Sequence, residues 1–569
     1  MKRILSILFF LCILMPAMAE RAADIPLRVL NHWDNLDGTV ERGYAGKSIF
    51  FRNGKVSFDS LRIKQYAEIN KSIGINGTVL NNVNASPKMM IPEILDGVKD
   101  IADILRRYGI KVYLSVNFAS PKVVGGLSTA DPLDTCVAQW WKDKVAEIYA
   151  RIPDFGGFLV KANSEGQPGP GDYHRTHAEG ANMLADALQP YGGIVMWRAF
   201  VYAANSPDRA SQAYDEFLPL DGQFHDNVIL QIKNGPIDFQ PREPVSPLFF
   251  AMKKTRMMPE FQITQEYTGE SIHTCFLASM WKEFFDATKG IKFDGIAGVA
   301  NIGDNEIPCG SFTAIANWIA FGGMAKNTKL SPASIARDVA YKMFLKPSKS
   351  EEREQALKSL TQLLLESHEA VVSYMMPMGL HHIFAGGHHY GPEPWCYHEG
   401  WREDWLPRYY HKADATGLGF NRTATGSNNI AQYPEHLQSY YSSLSASNPY
   451  LLWFNHIAWK QKLDNGKTMW ETLCRKYDEG VRMAESFVET WKSAQPYIRK
   501  EIYEDQLKRF ERQAKDAWWW RDACLLYFQQ FSKMKLPKGS PAPRHNLDDL
   551  MRYHLDMDNY TAANPELLP

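Results

Sequence analysis

Gly157-Phe158-Leu159-Val160-Lys161-Ala162 is a short apolar run with one lysine near its end, and it leads directly into Asn163-Ser164-Glu165-Gly166-Gln167. A continuous apolar run of this length, closed by a polar turn, predicts a strand buried on both faces. The same unit recurs on either side. Upstream lie Leu27–Asn31, Ile75–Leu80 and Ile110–Val116; downstream lie Ile194–Phe200, Val228–Lys233, Glu260–Ile263 and Gly295–Ala300. Helical periodicity fills the intervals, most clearly at Asp59–Ile73, Pro92–Tyr108, Cys136–Ile152 and Cys275–Thr288, and Phe312–Met324 follows the last strand. Eight such units within about 300 residues predict an α/β fold, a closed (β/α)8 TIM barrel rather than an open sheet. Its least marked members are the strand that Pro259 opens and the helix before it.

From about Leu330 the pattern changes. Ser331–Leu345, Glu351–Met375, Thr468–Lys492 and Ile502–Phe531 read as helices, with almost no strand signal between them. The expected division is a barrel over 27–328 and a mainly helical C-terminal domain over 329–569. No internal repeat has a solenoid period. Ahead of the barrel, Lys2 and Arg3 precede an apolar run from Ile4 to Leu14, and Ala17-Met18-Ala19 has the small-x-small form of a cleavage site. That predicts a signal peptide over 1–19 and a secreted or periplasmic protein. The run is too short to span a bilayer, and Cys12 lies inside it, which argues against a lipid anchor.

Sixty-three basic against 64 acidic residues leave a net charge of -1. That balance gives no electrostatic case for nucleic acid or an anionic membrane as partner. Cys136, Cys275, Cys309, Cys396, Cys474 and Cys524 are far apart and form no CxxC pair, so unpaired and mostly buried thiols are expected rather than a zinc site. Sixteen Trp, 26 Tyr and 29 Phe suit either sugar faces or a large aromatic core.

Barrel sites sit on the loops after the strands. Strand 1 runs into His32-Trp33-Asp34-Asn35, and strand 4 carries Lys161 toward Glu165. Strand 5 holds Trp197 and Arg198, strand 6 ends at Lys233 with Asp238 close behind, and strand 7 leads to Glu266. A lone carboxylate at a strand end is more often an ion pair or a helix cap. Three of them, Glu165, Asp238 and Glu266, at corresponding ends point to a site, because glycoside hydrolysis needs an acid on one ring face and a carboxylate on the other. The basic residues Lys161, Arg198 and Lys233 would meet an anionic substrate, of which a sugar acid is the simplest.

At these residues the chain resembles glycoside hydrolase family 67. The resemblance rests on Asn31-His32-Trp33-Asp34-Asn35-Leu36-Asp37-Gly38, Glu41-Arg42-Gly43-Tyr44-Ala45-Gly46, Val160 to Pro170, Ile232 to Gln240, and Gln262-Ile263-Thr264-Gln265-Glu266-Tyr267. It covers roughly residue 25 to the C-terminus and implies an inverting α-glucuronidase with a barrel and a helical C-terminal domain. The implied substrate is glucuronic or 4-O-methylglucuronic acid linked α-1,2 to the terminal xylose of glucuronoxylan oligosaccharides. By motif position, Glu165 would be the general acid, and Asp238 with Glu266 would activate water. Trp33, Lys161, Arg198 and Lys233 would bind the uronic acid, with no cofactor and no metal. Family members usually carry a β-rich domain before the first barrel strand, whereas here about seven residues separate the expected cleavage point from it. Whether the chain forms a homodimer stays open.

The pairs His381-His382 and His388-His389 lack the interleaved Glu or Cys of a zinc site. With Trp395, Tyr397, Trp401 and Trp405 nearby, they are expected in a loop over the barrel mouth. Trp518-Trp519-Trp520 sits in a helical pattern and reads as core or subunit contact. Two other readings remain at this level: a non-catalytic sugar-binding protein on a barrel, and a barrel glycosidase for another uronic-acid polymer. Retention of all three carboxylates argues against the first. For the strand-4 acid, burial or a nearby negative charge is expected to raise the pKa of Glu165, and Asp238 with Glu266 are expected to share a proton at low pH.

Overall fold

The computed structural model describes residues 24–555 except 201–205, 207, 387 and 554, so the expected signal peptide lies outside the described residues. Eight parallel strands close on themselves: β1 Leu27–His32, β2 Gly77–Val79, β3 Lys111–Ser115, β4 Gly157–Val160, β5 Ile194–Arg198, β6 Val228–Lys233, β7 Met257–Gln262 and β8 Gly295–Ala300. Closure is the pairing of β1 with β8, Leu27 to His32 against Gly295 to Ala300, while β2 flanks β1 on its other side. The expected barrel is therefore present, at the expected eight positions.

Two details differ from the sequence reading. β7 starts at Met257, so Pro259 lies inside it. The strand tolerates proline because its two ladders are offset: β6 pairs with Met257 to Glu260, and β8 pairs only with Glu260 to Gln262, just past the residue that lacks an N–H. Between β6 and β7 the only α-helix is a single turn, Leu248–Ala251. Pro236, Pro241, Pro244 and Pro247 stand ahead of it, and each removes a donor and fixes φ. This stretch is consequently a long irregular loop at the C-terminal end of the barrel strands.

The remaining barrel helices follow from local signals. Asp59 caps Ser60–Ile73 by accepting from the Leu61 amide, and Gly74 ends that helix at φ 91°. Asp134 caps Thr135–Arg151 in the same way. Beyond the barrel, three long helices dominate: α1 Glu351–Met375, α2 Met469–Ser493 and α3 Lys500–Ser532. A reciprocal Thr468/Glu471 capping box opens α2, which packs against both α1 and α3. The segment before them is the helix Pro332–Val339, which widens into a π-turn at Ala340–Phe344. Trp518, Trp519 and Trp520 are all buried, and one apolar core runs without a break from barrel to helices. Five of the six described cysteines are buried and free, and Cys136 is exposed and free. Among the described residues, no helix is long and apolar enough to cross a membrane.

One backbone contact limits how β4 enters the barrel. Gly157 has φ 132°, and a Cβ there would lie 1.9 Å from the Ile194 carbonyl oxygen on β5. Gly192 also has positive φ, at 72°, but with nothing within 4 Å. Gly157→Ala is expected to cost about 3 kcal/mol or more and Gly192→Ala about 1 kcal/mol. Thermal unfolding of both variants checks this, and equal midpoints would contradict the close approach.

Candidate active site

All seven residues singled out from the sequence line one cavity of about 250 Å³ at the C-terminal end of the barrel: Trp33, Lys161, Glu165, Arg198, Lys233, Asp238 and Glu266. The parallel barrel brings them together, because each lies at or just past the end of its own strand. Trp33 and Lys161 directly follow β1 and β4, Arg198 and Lys233 are the last residues of β5 and β6, and the three carboxylates sit on the loops beyond.

The turn after β4 is tight. Asn163, Glu165 and Gly166 have φ of 50°, 48° and 75°, all in the left-handed region. The Asn163 amide fixes this turn by accepting from the Gly171 N–H at 2.8 Å and donating to Asp172 at 3.0 Å. Glu165 is thereby lifted to the rim, with its side chain 40% exposed. Lys161 reaches it from below, and Lys161 also donates to Asn84 at 2.8 Å, whose amide donates in turn to Glu41 at 2.9 Å. Burial works to raise the Glu165 carboxyl, but the Lys161 ammonium, with Lys233 beyond it, outweighs burial and holds it below the usual carboxylate range. In the free site the expected upward shift is therefore reversed, and the Lys161 charge is the reason.

Asp238 is enclosed by donors. Lys233 Nζ lies 2.8 Å from Oδ1, the Tyr267 hydroxyl donates to Oδ2 at 2.6 Å, and its carboxyl is held far below the usual range: burial opposes this, and Lys233, Arg209 and Tyr267 override burial. Glu266 has separate partners. Gln262 donates to Oε2 at 2.7 Å, while Arg42 and His389 each lie 2.8 Å from Oε1. Asp238 and Glu266, expected to share a proton at low pH, each have their own set of cationic or donor partners. The acids that keep protons lie behind them. Burial, with Asp238 nearby, pushes Glu243 up to about 8, and burial, with Glu266 nearby, pushes Glu270 up to about 8.

Arg198 lines the cavity, yet its fork is engaged inside the barrel. Its Nε and Nη2 donate to the two oxygens of Glu260 at 2.9 and 2.7 Å, and Gln231 donates to the same carboxylate at 2.9 Å. Both members of the pair are about 98% buried. The Lys233 ammonium sits 3.4 Å from the Phe200 ring centroid, so an aromatic face supports the second cation as well.

The histidine-rich segment covers the mouth as expected: His382, Phe384, His389, Trp401 and Trp405 line the cavity. Trp395 instead packs on Tyr527, and Tyr397 lies on the surface under Arg408. Tyr267 stacks on His389 with ring centroids 4.4 Å apart, which joins the Asp238 and Glu266 shells. Among the described residues, no group of three or more His, Cys, Asp or Glu is placed to hold a metal ion. Sequence reasoning passed over Arg42, Asn84, Arg209 and Tyr267 as lining residues. Arg42 and Tyr267 adjoin acidic residues inside the quoted motifs, and that adjacency was a usable signal. Arg209 lies off the strand ends and gave none.

Fold and mouth together define a (β/α)8 barrel whose strand-end loops gather carboxylates and cations in one cavity. The chain belongs to glycosyl hydrolase family 67: the family's middle-domain model matches residues 16–322 and its C-terminus model matches residues 309–541. It is 41% identical to a probable alpha-glucuronidase A of Neosartorya fischeri over 89% of this chain and 62% of that protein. It is also 41% identical to alpha-glucuronidase A of Emericella nidulans, over 94% of this chain and 66% of that one. The chain thus spans a little under two thirds of the length of these relatives. Among solved structures it is similar to a GH138 enzyme targeting pectin rhamnogalacturonan II, with TM-score 0.49 and 11% identity over 91% of this chain and 60% of that one.

The Arg198–Glu260 pair makes a stability prediction. Glu260→Gln leaves a buried guanidinium with half its compensation, which should cost about 3–5 kcal/mol. Chemical denaturation of the variant against the parent chain measures this, and a loss under about 1 kcal/mol would show that Arg198 finds another counter-charge.

Proposed function

We propose that the chain is an inverting α-glucuronidase that releases glucuronic or 4-O-methylglucuronic acid linked α-1,2 to xylose in xylan-derived xylooligosaccharides. The observation that carries this reading is that three carboxylates on separate strand-end loops, Glu165, Asp238 and Glu266, line one small cavity together with Lys161, Arg198 and Lys233. Glu165 follows β4, and the other two follow β6 and β7, two and three strands further round. With neighbouring strands about 4.8 Å apart, this leaves room for a sugar ring and a water between the faces, as inversion requires. The names of the curated relatives support the same activity.

In this reading Glu165 protonates the departing xylose oxygen, and Asp238 with Glu266 takes a proton from the attacking water. Lys233 and Tyr267 keep Asp238 ionised, so it is ready to act as base. Trp33 presents a sugar-facing aromatic wall, Lys161 and Lys233 face the uronate, and Arg198, its Nε and Nη2 held by Glu260, adds its charge from the cavity wall. A bound uronate also resolves the low pKa of Glu165. Its negative charge offsets the cations that depress Glu165, and closure by the sugar removes water from an exposed carboxyl, so both effects move the acid upward on binding. Trp401 and Trp405, each more than a third exposed at the mouth, are placed to receive the xylose side.

The test is hydrolysis of aldouronic acids followed by NMR. The wild-type chain should release the uronic acid first as its β-anomer. Glu165→Gln and Asp238→Asn should each lower kcat by about a thousandfold, within the usual range for removing an acid or base. Arg198→Ala should impair turnover severely. An initial α-anomer would overturn inversion, and absence of uronate release would overturn the function.

A further inference from the structure

Asp238 lies on the proline-rich loop between β6 and β7, where no regular structure fixes the backbone. A side chain that does not line the catalytic cavity holds it from behind. Glu243 is fully buried, and its Oε2 accepts from the Ile237 N–H at 2.9 Å while Oε1 accepts from the Asp238 N–H at 2.8 Å. The Gln240 N–H approaches Oε1 at 3.4 Å, and His381 Nε2 lies 3.1 Å from the same oxygen. The fit is close: a Cβ on Gly235 would sit 2.3 Å from Glu243 Oε2. A second clamp lies beside it, where Gln240 accepts from the His382 N–H at 2.9 Å and its amide nitrogen is 2.7 Å from His382 Nδ1. From a backbone fixed in this way, the two Asp238 oxygens reach Lys233 and Tyr267.

We propose that Glu243 is a positioning residue of the reaction: through the Ile237 and Asp238 amides it sets the Asp238 carboxylate against the substrate, and through His381 it ties that setting to the loop over the mouth. The inference rests on the glycosidase reading and assigns no chemistry to Glu243 itself. The titratable groups around Glu243 include Asp238, Lys233, His381 and the Tyr433 hydroxyl, and Arg209 and Arg422 stand around His381. Burial pushes Glu243 up to about 8, so near neutral pH it adds little negative charge behind Asp238 and leaves the Lys233–Asp238 pair undisturbed. Removing the clamp should therefore act on Asp238 through geometry. A slackened loop weakens its bonds to Lys233 and Tyr267 and lets its carboxyl return toward the usual range.

The experiment compares the wild-type chain with Glu243→Gln, Glu243→Ala and Gln240→Ala on an aldouronic acid. Glu243→Gln keeps the volume and one acceptor, so the fold should persist. Its kcat should fall about tenfold and that of Glu243→Ala about a hundredfold, with KM within about threefold. The acid limb of kcat/KM should move to higher pH by about one unit in both variants, and less in Gln240→Ala. A purely structural Glu243 would lower the unfolding midpoint while leaving kcat per folded molecule and the acid limb in place, and that result overturns the proposal. Hydrogen exchange at the Ile237 and Asp238 amides is read in parallel. Exchange at least tenfold faster in Glu243→Gln supports the clamp, and unchanged protection overturns it. An inactive wild type with faster exchange in the variant would instead sink the glycosidase reading while leaving the clamp as found.

Discussion

Asp516, buried at the middle of α3, ties together loops at the C-terminal end of the barrel. One carboxylate oxygen lies 2.8 Å from His273 Nε2 on the loop after β7 and accepts from Tyr390, while Arg512 binds the other. Three pieces of chain far apart in sequence therefore meet at one charge. His273 stands seven residues past Glu266, and Tyr390 directly follows His389, which bonds Glu266. Gln513 strengthens the joint, accepting from the Thr274 N–H at 2.9 Å and donating to the Thr274 carbonyl at 3.1 Å. Burial alone would keep Asp516 protonated, but Arg512 and His273 hold it ionised, and an ionised acceptor makes the stronger hydrogen bonds. The helical part thus shapes the barrel's loops rather than merely covering one flank.

A second regularity concerns charge. The mouth gathers carboxylates at strand ends because a parallel barrel sends every strand end to one side. Each front carboxylate is held with its own cation or donor: Glu165 with Lys161, Asp238 with Lys233 and Tyr267, Glu266 with Arg42 and His389. Inside the barrel Arg198 is matched by Glu260. Behind Asp238 and Glu266, the buried Glu243 and Glu270 are shifted the other way, toward the protonated form. Carboxylates held by nearby cations, with neighbouring buried acids shifted toward the protonated form, lower the mutual repulsion among the acids gathered at the mouth.

What the sequence made legible follows from period and position. Apolar runs such as Val228–Lys233 and Gly295–Ala300 are strands because both faces of a barrel strand are covered, and the seven candidate residues were found because strand ends converge. β7 was read three residues short, since Pro259 masks a strand whose two ladders are offset. The pairing of Arg198 with Glu260 was hidden because each residue reads as an isolated charge in an apolar run until the barrel's register brings them together. Lys161 was read as a substrate ligand, and its effect on Glu165 appears only when the turn places both in one geometry. His389 and Arg209 reach the cavity from segments with no period, where only tertiary contacts fix direction.

The turn after β4 has a consequence for how the chain tolerates change. Two of its three left-handed residues, Asn163 and Glu165, are not glycine, and L-residues with a Cβ adopt this conformation at a cost of about 1 kcal/mol each. Asparagine accepts the conformation more easily than glutamate, so the strain falls mainly on Glu165. A glycine at 165 would fit that backbone better, but it would leave the buried Lys161 ammonium without its carboxylate, and that loss opposes the strain relieved. The strained turn and the Lys161–Glu165 ion pair therefore support each other: the pair holds Glu165 in a conformation that its own backbone disfavours.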